Sequence, residues 1–283
     1  MFEGAVHVTE QDQGALLYLG EPEEEQADHE LAQGLVCMRS YRSPDKETPN
    51  EDSAAIVPVG DALVLAVADG VGGTPAGRDA SNEAVKILAK VLARADPAPE
   101  NLRDTVIDAV EAANRVVLEL SRGAATTLVV GEIMGGHIRS YHVGDSELFS
   151  VGQRGRVKLR ITPHSPTGFA VEAGLMDEDE AVQHDQRHIL FNVIGTPNMR
   201  IEIGAPTKLD RFDTVLLATD GLLDNLYIDE IVDIVRSGPL PAAADQLVAQ
   251  ARNRMATDGG KNPSKPDDLT VVLFRPRAGK NKS

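Results

Sequence analysis

Apolar residues fall into short runs cut by Gly, Asp and Pro, with two longer helical stripes between them. From Gly34 onward, LVCM, SAAIVPV and ALVLAVA read as strands, the last two joined through a hairpin turn at Gly60-Asp61. Residues 77–94 place Ala80, Ala84, Ile87, Leu88 and Val91 on one stripe, and residues 100–121 do the same with Val106, Val110, Ala113, Val117 and Leu120. Both spacings predict amphipathic helices. TTLVVGEIM, HIRSYHVG, SELFSVG and RVKLRIT follow, punctuated by Gly135-Gly136, Gly144-Asp145 and the turn from Gly152 to Gly155, and predict a meander of hairpins. Residues 163–205 are irregular, with a short acidic helix around EDEAV, and read as an excursion from the core. A strand at DTVLLAT, helices near 229–236 and 241–256, and a strand at LTVVLF complete the pattern.

Strands grouped with strands, and helices grouped in pairs, argue for an α+β fold rather than alternating βαβ units. The strands alternate weakly, as they do when both faces are buried. A central antiparallel β-sandwich of two packed sheets, flanked on both sides by pairs of helices, satisfies both features. Residues 34–276 form this domain, with residues 277–283 expected as a disordered tail. Residues 1–33 contain Glu23-Glu24-Glu25 and no Lys or Arg. They read as a solvated acidic extension with one short strand at 15–19.

The net charge of −16 over 283 residues disfavours a nucleic-acid or anionic membrane partner. Cys37 is the single cysteine, which excludes an internal disulfide and a multi-cysteine zinc site; it reads as a small buried hydrophobe. No apolar stretch reaches the length of a membrane span and no signal-peptide pattern opens the chain, so a cytoplasmic location is expected. The oligomeric state is open, with a monomer expected.

Carboxylates recur where apolar runs begin or end: Asn50-Glu51-Asp52 before SAAIVPV, Asp69-Gly70 after ALVLAVA, Asp220-Gly221 after DTVLLAT, and Asp267-Asp268 before LTVVLF. Two carboxylates about 4 Å apart repel by roughly 4 kcal/mol at an effective dielectric near 20, so such a set binds cations or stays protonated. Oxygen donors without a His or Cys cluster select Mg²⁺, Mn²⁺ or Ca²⁺. A glycine after Asp69 leaves the Gly70 carbonyl open to close approach by a cation. A single Asp-Gly pair is equally a turn after a strand; the succession of motifs is more telling.

Asn50-Glu51-Asp52, Ala68-Asp69-Gly70-Val71-Gly72-Gly73, Ala125-Thr126-Thr127, Val143-Gly144-Asp145-Ser146, Thr219-Asp220-Gly221-Leu222 and Asp267-Asp268-Leu269-Thr270 together resemble the metal-dependent protein phosphatases, the type 2C Ser/Thr phosphatase family, over about residues 34–275. The resemblance implies a bacterial-type enzyme that hydrolyses phosphoserine and phosphothreonine in proteins by direct attack of a metal-activated water. It implies two Mn²⁺ or Mg²⁺ ions bridged by Asp69, with the Gly70 carbonyl on one and Asp220 and Asp267 on the other. These aspartates would hold the bridging water. Asp52, with Glu51 beside it, would ligate or hold bound waters, and Asp145 would contribute to a third, weaker site. Residues 163–205 would be the flap that influences substrate choice.

The sequence departs from the family at several points. Glu47 stands where an Arg usually grips the phosphate, leaving Arg42 and Lys46 as candidates or as plain surface charges. Glu147 replaces the Arg of the usual Gly-Asp-Ser-Arg, and Pro163-His164-Ser165 replaces Asp-His-Ser. Val71 stands where eukaryotic members carry a His, so leaving-group protonation falls to bound water, with His164 and His188 as less favoured substitutes. Glu47 and Glu147 motivate an alternative, a non-catalytic metal-binding or interaction module on the same fold; an unrelated two-metal nuclease is disfavoured by the charge.

Overall fold

In the computed structural model, the described residues are 10–277 other than 13, 21–22, 72–74, 96–98, 121–122 and 258–261. The expected tail therefore lies almost wholly outside the described residues. In chain order come β1 (Glu10–Asp12), β2 (Ala15–Tyr18), β3 (Glu24–Glu30), β4 (Gly34–Tyr41), β5 (Asp52–Val59) and β6 (Ala62–Asp69), then helices α1 (Pro75–Leu92) and α2 (Pro99–Leu120). β7 (Leu128–Met134), β8 (His137–Val143), β9 (Glu147–Val151) and β10 (Val157–Arg160) form the meander. α3 (Pro166–Glu172), α4 (Glu178–Gln183), β11 (Glu202–Ile203) and β12 (Thr207–Lys208) lead to β13 (Thr214–Ala218). α5 (Asp220–Leu223), α6 (Ile228–Val235), α7 (Leu240–Met255) and β14 (Leu269–Pro276) close the domain.

One sheet runs β1-β2-β5-β6-β7-β8-β11, with β12 also on β8; the other runs β10-β9-β13-β14-β4-β3. The period of two along each strand builds three cores. In β5 and β6, Ala54, Ile56, Leu63, Leu65 and Val67 face the opposite sheet, where they meet Met38, Leu217 and Val272. The alternate residues Ala55, Val57, Val64 and Ala66 face outward against Leu88, Val106 and Val117 of the helical hairpin. Cys37, Leu216 and Leu273 of the second sheet face Val235, Leu247 and Ala251 of α6 and α7 in the same way. Both faces of the central strands are covered, which is why their sequences read as continuous apolar runs. This is the α+β sandwich expected from the pattern. Cys37 is fully buried, and burial pushes its thiol up.

β2 falls where a short strand is expected, whereas residues 24–30 correct the expectation that the rest of the extension is solvated. β2 pairs with β5, and β3 pairs with β4 along its whole length, from Glu24 opposite Tyr41 to Glu30 opposite Leu35. The acids of this edge are matched by cations remote in sequence: Arg39 meets Asp28 at 2.8 Å, Arg42 meets Glu23 at 2.8 Å and Arg252 meets Glu24 at 3.8 Å. Within the described residues, no helix is long and apolar enough to cross a membrane.

Candidate metal centre

Five strand ends deliver the acids to one rim of the sandwich. Asp52 and Asp69 are direct partners at the open end of the β5–β6 hairpin. Asp69 is then fixed by its backbone: its carbonyl accepts from Thr126 Oγ1 at 2.7 Å and from the Thr127 amide at 2.8 Å, while its amide donates to Thr127 Oγ1 at 3.0 Å. Asp220 begins α5 directly after β13, and Asp267 lies two residues before β14, the strand paired with β13. Asp145 follows β8 at a turn where Gly144 has φ 108°. Asn225 ties the last two segments together: its amide nitrogen donates to the carbonyls of Gly221 at 2.9 Å and Lys265 at 2.8 Å, and its oxygen accepts from the Lys265 amide at 2.9 Å.

The two Asp-Gly pairs owe their glycines to packing. A Cβ on Gly70 would lie 2.4 Å from the backbone of Gly77 in α1, and one on Gly221 would lie 1.9 Å from the carbonyl oxygen of Asp268. Crowding of the main chain, and not only an open approach to the Gly70 carbonyl, requires glycine there.

The electrostatics identify which acids are neighbours. Burial raises the Asp69 carboxyl well above the usual range, and the charges of Asp220, Asp52, Asp267 and Asp145 push it further. Asp145 is raised by burial and then by Asp220 and Asp224. Asp267 is pushed up to about 6 by burial and Asp220, against the pull of Lys265. Asp52 is raised by burial and the charge of Asp268, although Thr219 Oγ1 donates to its Oδ2 at 2.8 Å. Asp52, Asp69, Asp145, Asp220 and Asp267 are thus brought together, as the sequence motifs suggested.

Three other expected residues sit differently. Lys46 Nζ lies 2.5 Å from Glu51 Oε2 and 2.8 Å from Asp268 Oδ2, so Glu51 and Lys46 neutralise one another beside the cluster. Arg42 is turned to Glu23, the residue just before β3. Both candidate phosphate-binding cations are therefore already engaged by carboxylates.

Two residues escaped the sequence reading, and a third, Asp268, was noted there only as the neighbour of Asp267. Asp224, one helical turn after Asp220, joins the cluster and could have been found from that i, i+4 spacing. Lys265 Nζ contacts Asp220 at 2.7 Å, Asp224 at 2.8 Å and Asp267 at 3.1 Å, and no local pattern announces it. Asp268 is a bracket, its Oδ1 accepting from the Ser43 amide at 2.7 Å and its Oδ2 from the Glu51 amide at 2.9 Å.

A second group, His142, His164 and Glu202, presents ligand-type atoms within 4.8 Å of one another. The Gly144 amide donates to His164 Nδ1 at 3.1 Å, which leaves the ring proton on Nε2, 3.2 Å from Glu202 Oε2. That bond accounts for the pair without an ion. His164 is buried and structural, and His142, stacked on it at 4.4 Å, is lowered to about 4 by burial and its neighbour.

The acidic rim fits hard divalent cations on its own chemistry. Its donors are carboxylate and carbonyl oxygens, and the buried Asp52 Oδ1 has no hydrogen-bond partner. A cleft of about 330 Å³ opens beside it, lined by Asp145, Asp220 and Asp224 on one side and by Ser165, Gly168 and Arg187 of the 163–205 excursion on the other.

With this fold and rim in view, comparison with known proteins is direct. The protein phosphatase 2C family profile matches residues 41–258, and the chain belongs to that family. It is 32% identical over 219 residues to the protein phosphatase PhpP of Streptococcus pneumoniae, covering 74% of this chain and 84% of that protein. The serine/threonine phosphatase of S. agalactiae superposes with a TM-score of 0.74 at 27% identity, covering 86% of this chain and 99% of that one. The catalytic domain of the phosphatase PstP, solved in complex with two manganese ions, superposes with a TM-score of 0.66 at 23% identity over 85% of this chain and 96% of that one. The protein is a phosphoprotein phosphatase of the Ser/Thr type.

Proposed function

We propose that the acidic rim binds two Mn²⁺ or Mg²⁺ ions and that the protein hydrolyses phosphoserine and phosphothreonine in one displacement, with no phosphoenzyme. The observation that carries this reading is the crowding of Asp69 by Asp220, Asp52, Asp267 and Asp145. Uncompensated, such a set is costly; two divalent charges turn the repulsion into binding.

In this reading Asp69 would serve both ions, with the Gly70 carbonyl as a further donor to one and Asp220 and Asp267 to the other. Asp52 would supply its free oxygen, and Asp145 with Asp224 would hold a third, weaker ion. When bound, the ions would supply Lewis acidity at phosphorus and activate a water as the nucleophile. The backbone bonds that clamp Asp69 fix the direction of its carboxylate, and Thr219 holds that of Asp52. The cleft beside α3 and α4 receives the phosphorylated side chain and its flanking peptide. Manganese in the related PstP domain supports the metal assignment. Phosphorylated proteins as partners and a cytoplasmic location are the corresponding expectations.

The non-catalytic alternative loses one of its two motives. Glu147 is compensated by Arg160, whose Nε and NH2 groups donate to it at 2.7 and 3.2 Å.

The test is phosphate release from a phosphothreonine peptide with Mn²⁺, Mg²⁺ or chelator, for the native protein and for Asp220→Ala. Turnover that requires metal and disappears in the variant is expected. Turnover in chelator, or unchanged turnover in Asp220→Ala, rejects the assignment.

A further inference from the structure

Lys265 is the one basic side chain whose described contacts reach three carboxylates of the acidic rim at once. Its main chain is immobilised from both sides by Asn225, and Pro266 follows it, so the base of the side chain is fixed relative to α5. Its side chain is one-quarter exposed and carries the ammonium on a flexible four-carbon stem, so the group can swing towards solvent without moving the backbone. Asp220 and Asp267, two of its three partners, are the residues that the proposed function assigns to one ion.

We propose that Lys265 is a tethered cation that competes with a divalent ion for Asp220, Asp224 and Asp267, holding these carboxylates together in the ion-free protein and weakening the binding of that ion. The inference rests on the reading of the rim as a metal centre. One ammonium satisfies three carboxylates, and an ion arriving at Asp220 and Asp267 must displace it or share their oxygens with it. Either route subtracts from the affinity for the ion. At separations near 3 Å the attraction is strong enough, even in a partly solvated setting, to alter binding by an order of magnitude. The lysine thereby sets the divalent concentration at which the enzyme is loaded, and it limits the collapse of repelling acids when ions are scarce.

A lysine that only braces the fold makes a different prediction, and two measurements separate them. Lys265→Met and Lys265→Arg are prepared as full chains; Mn²⁺ binding is followed by titration calorimetry and thermal unfolding is followed in chelator. The expected result is that Lys265→Met binds Mn²⁺ at least ten-fold more tightly at one site and melts lower than the native protein in chelator. Lys265→Arg, which keeps the charge, should stay within about three-fold of the native affinity for Mn²⁺, a margin well below the order of magnitude set by the lost ion pairs. Equal or weaker Mn²⁺ binding by Lys265→Met overturns the competition while leaving the metal centre intact. Absence of Mn²⁺ binding in all three proteins overturns both the competition and the reading on which it rests.

Discussion

Replacing Asp69 by Asn tests the electrostatic argument with opposite signs for stability and activity. The substitution keeps the shape and removes one charge from a group raised by burial and by four other carboxylates. Each pair near 4 Å is worth roughly 4 kcal/mol at an effective dielectric of 20, and screening at the partly exposed rim reduces the sum greatly. A net gain of about 1–2 kcal/mol in the metal-free protein is a conservative expectation after that screening. For a domain of this size such a gain raises the melting temperature by about 2–8 °C. With Mn²⁺ at a hundred times its dissociation constant, the native protein should gain about 2.7 kcal/mol by linkage, whereas the variant should gain little. Asp69→Asn should therefore melt above the native protein in chelator, below or level with it in saturating Mn²⁺, and have lost phosphopeptide hydrolysis. Differential scanning calorimetry in both conditions, with a phosphate-release assay, reads all three. An Asp69→Asn protein no more stable than native in chelator, or one still stabilised and activated by Mn²⁺, refutes the reasoning.

Three further outcomes follow from other parts of the molecule. Glu25 is buried in β3 with both carboxylate oxygens unpaired, and burial pushes it up to about 7 from 4.5, so its proton is retained better in the folded state and stability falls as pH rises through that window. Glu25→Gln should gain about 1–2 kcal/mol above pH 7 and nothing below about pH 4.5, read from urea midpoints at the two extremes; a pH-independent gain removes the cause. Gly221→Ala should cost at least about 2 kcal/mol, because its Cβ meets the immobile carbonyl of Asp268, and a melting temperature equal to native contradicts the close approach. Arg160→Met strands the buried Glu147 and should cost about 3–5 kcal/mol, with Glu147→Gln/Arg160→Met recovering much of the loss; an additive double variant argues against the pairing.

The strands and helices were legible because their burial is two-sided or one-sided along the chain itself: Ala62–Asp69 and the stripe through Ala84, Leu88 and Val91 carry their environment in their spacing. The rim was legible because its acids cap apolar runs. β3 was not, since its acidic sequence carries no strand pattern of its own; it is a strand through its ladder to β4, with Arg39 and Arg252 meeting its acids Asp28 and Glu24. Lys265, the bracketing role of Asp268 and the engagement of Lys46 were hidden because each is defined by contacts to residues such as Asp220, Ser43 and Glu51 that only the folded topology brings near.

Asn225 reaches further than its modest size suggests. By bonding Gly221 and both backbone groups of Lys265, it locks α5 and the approach to β14 into one unit. The spacing between Asp220 and Asp267 is consequently gauged by one amide side chain that grips main-chain groups on both segments, a stiff caliper in place of mobile acidic arms.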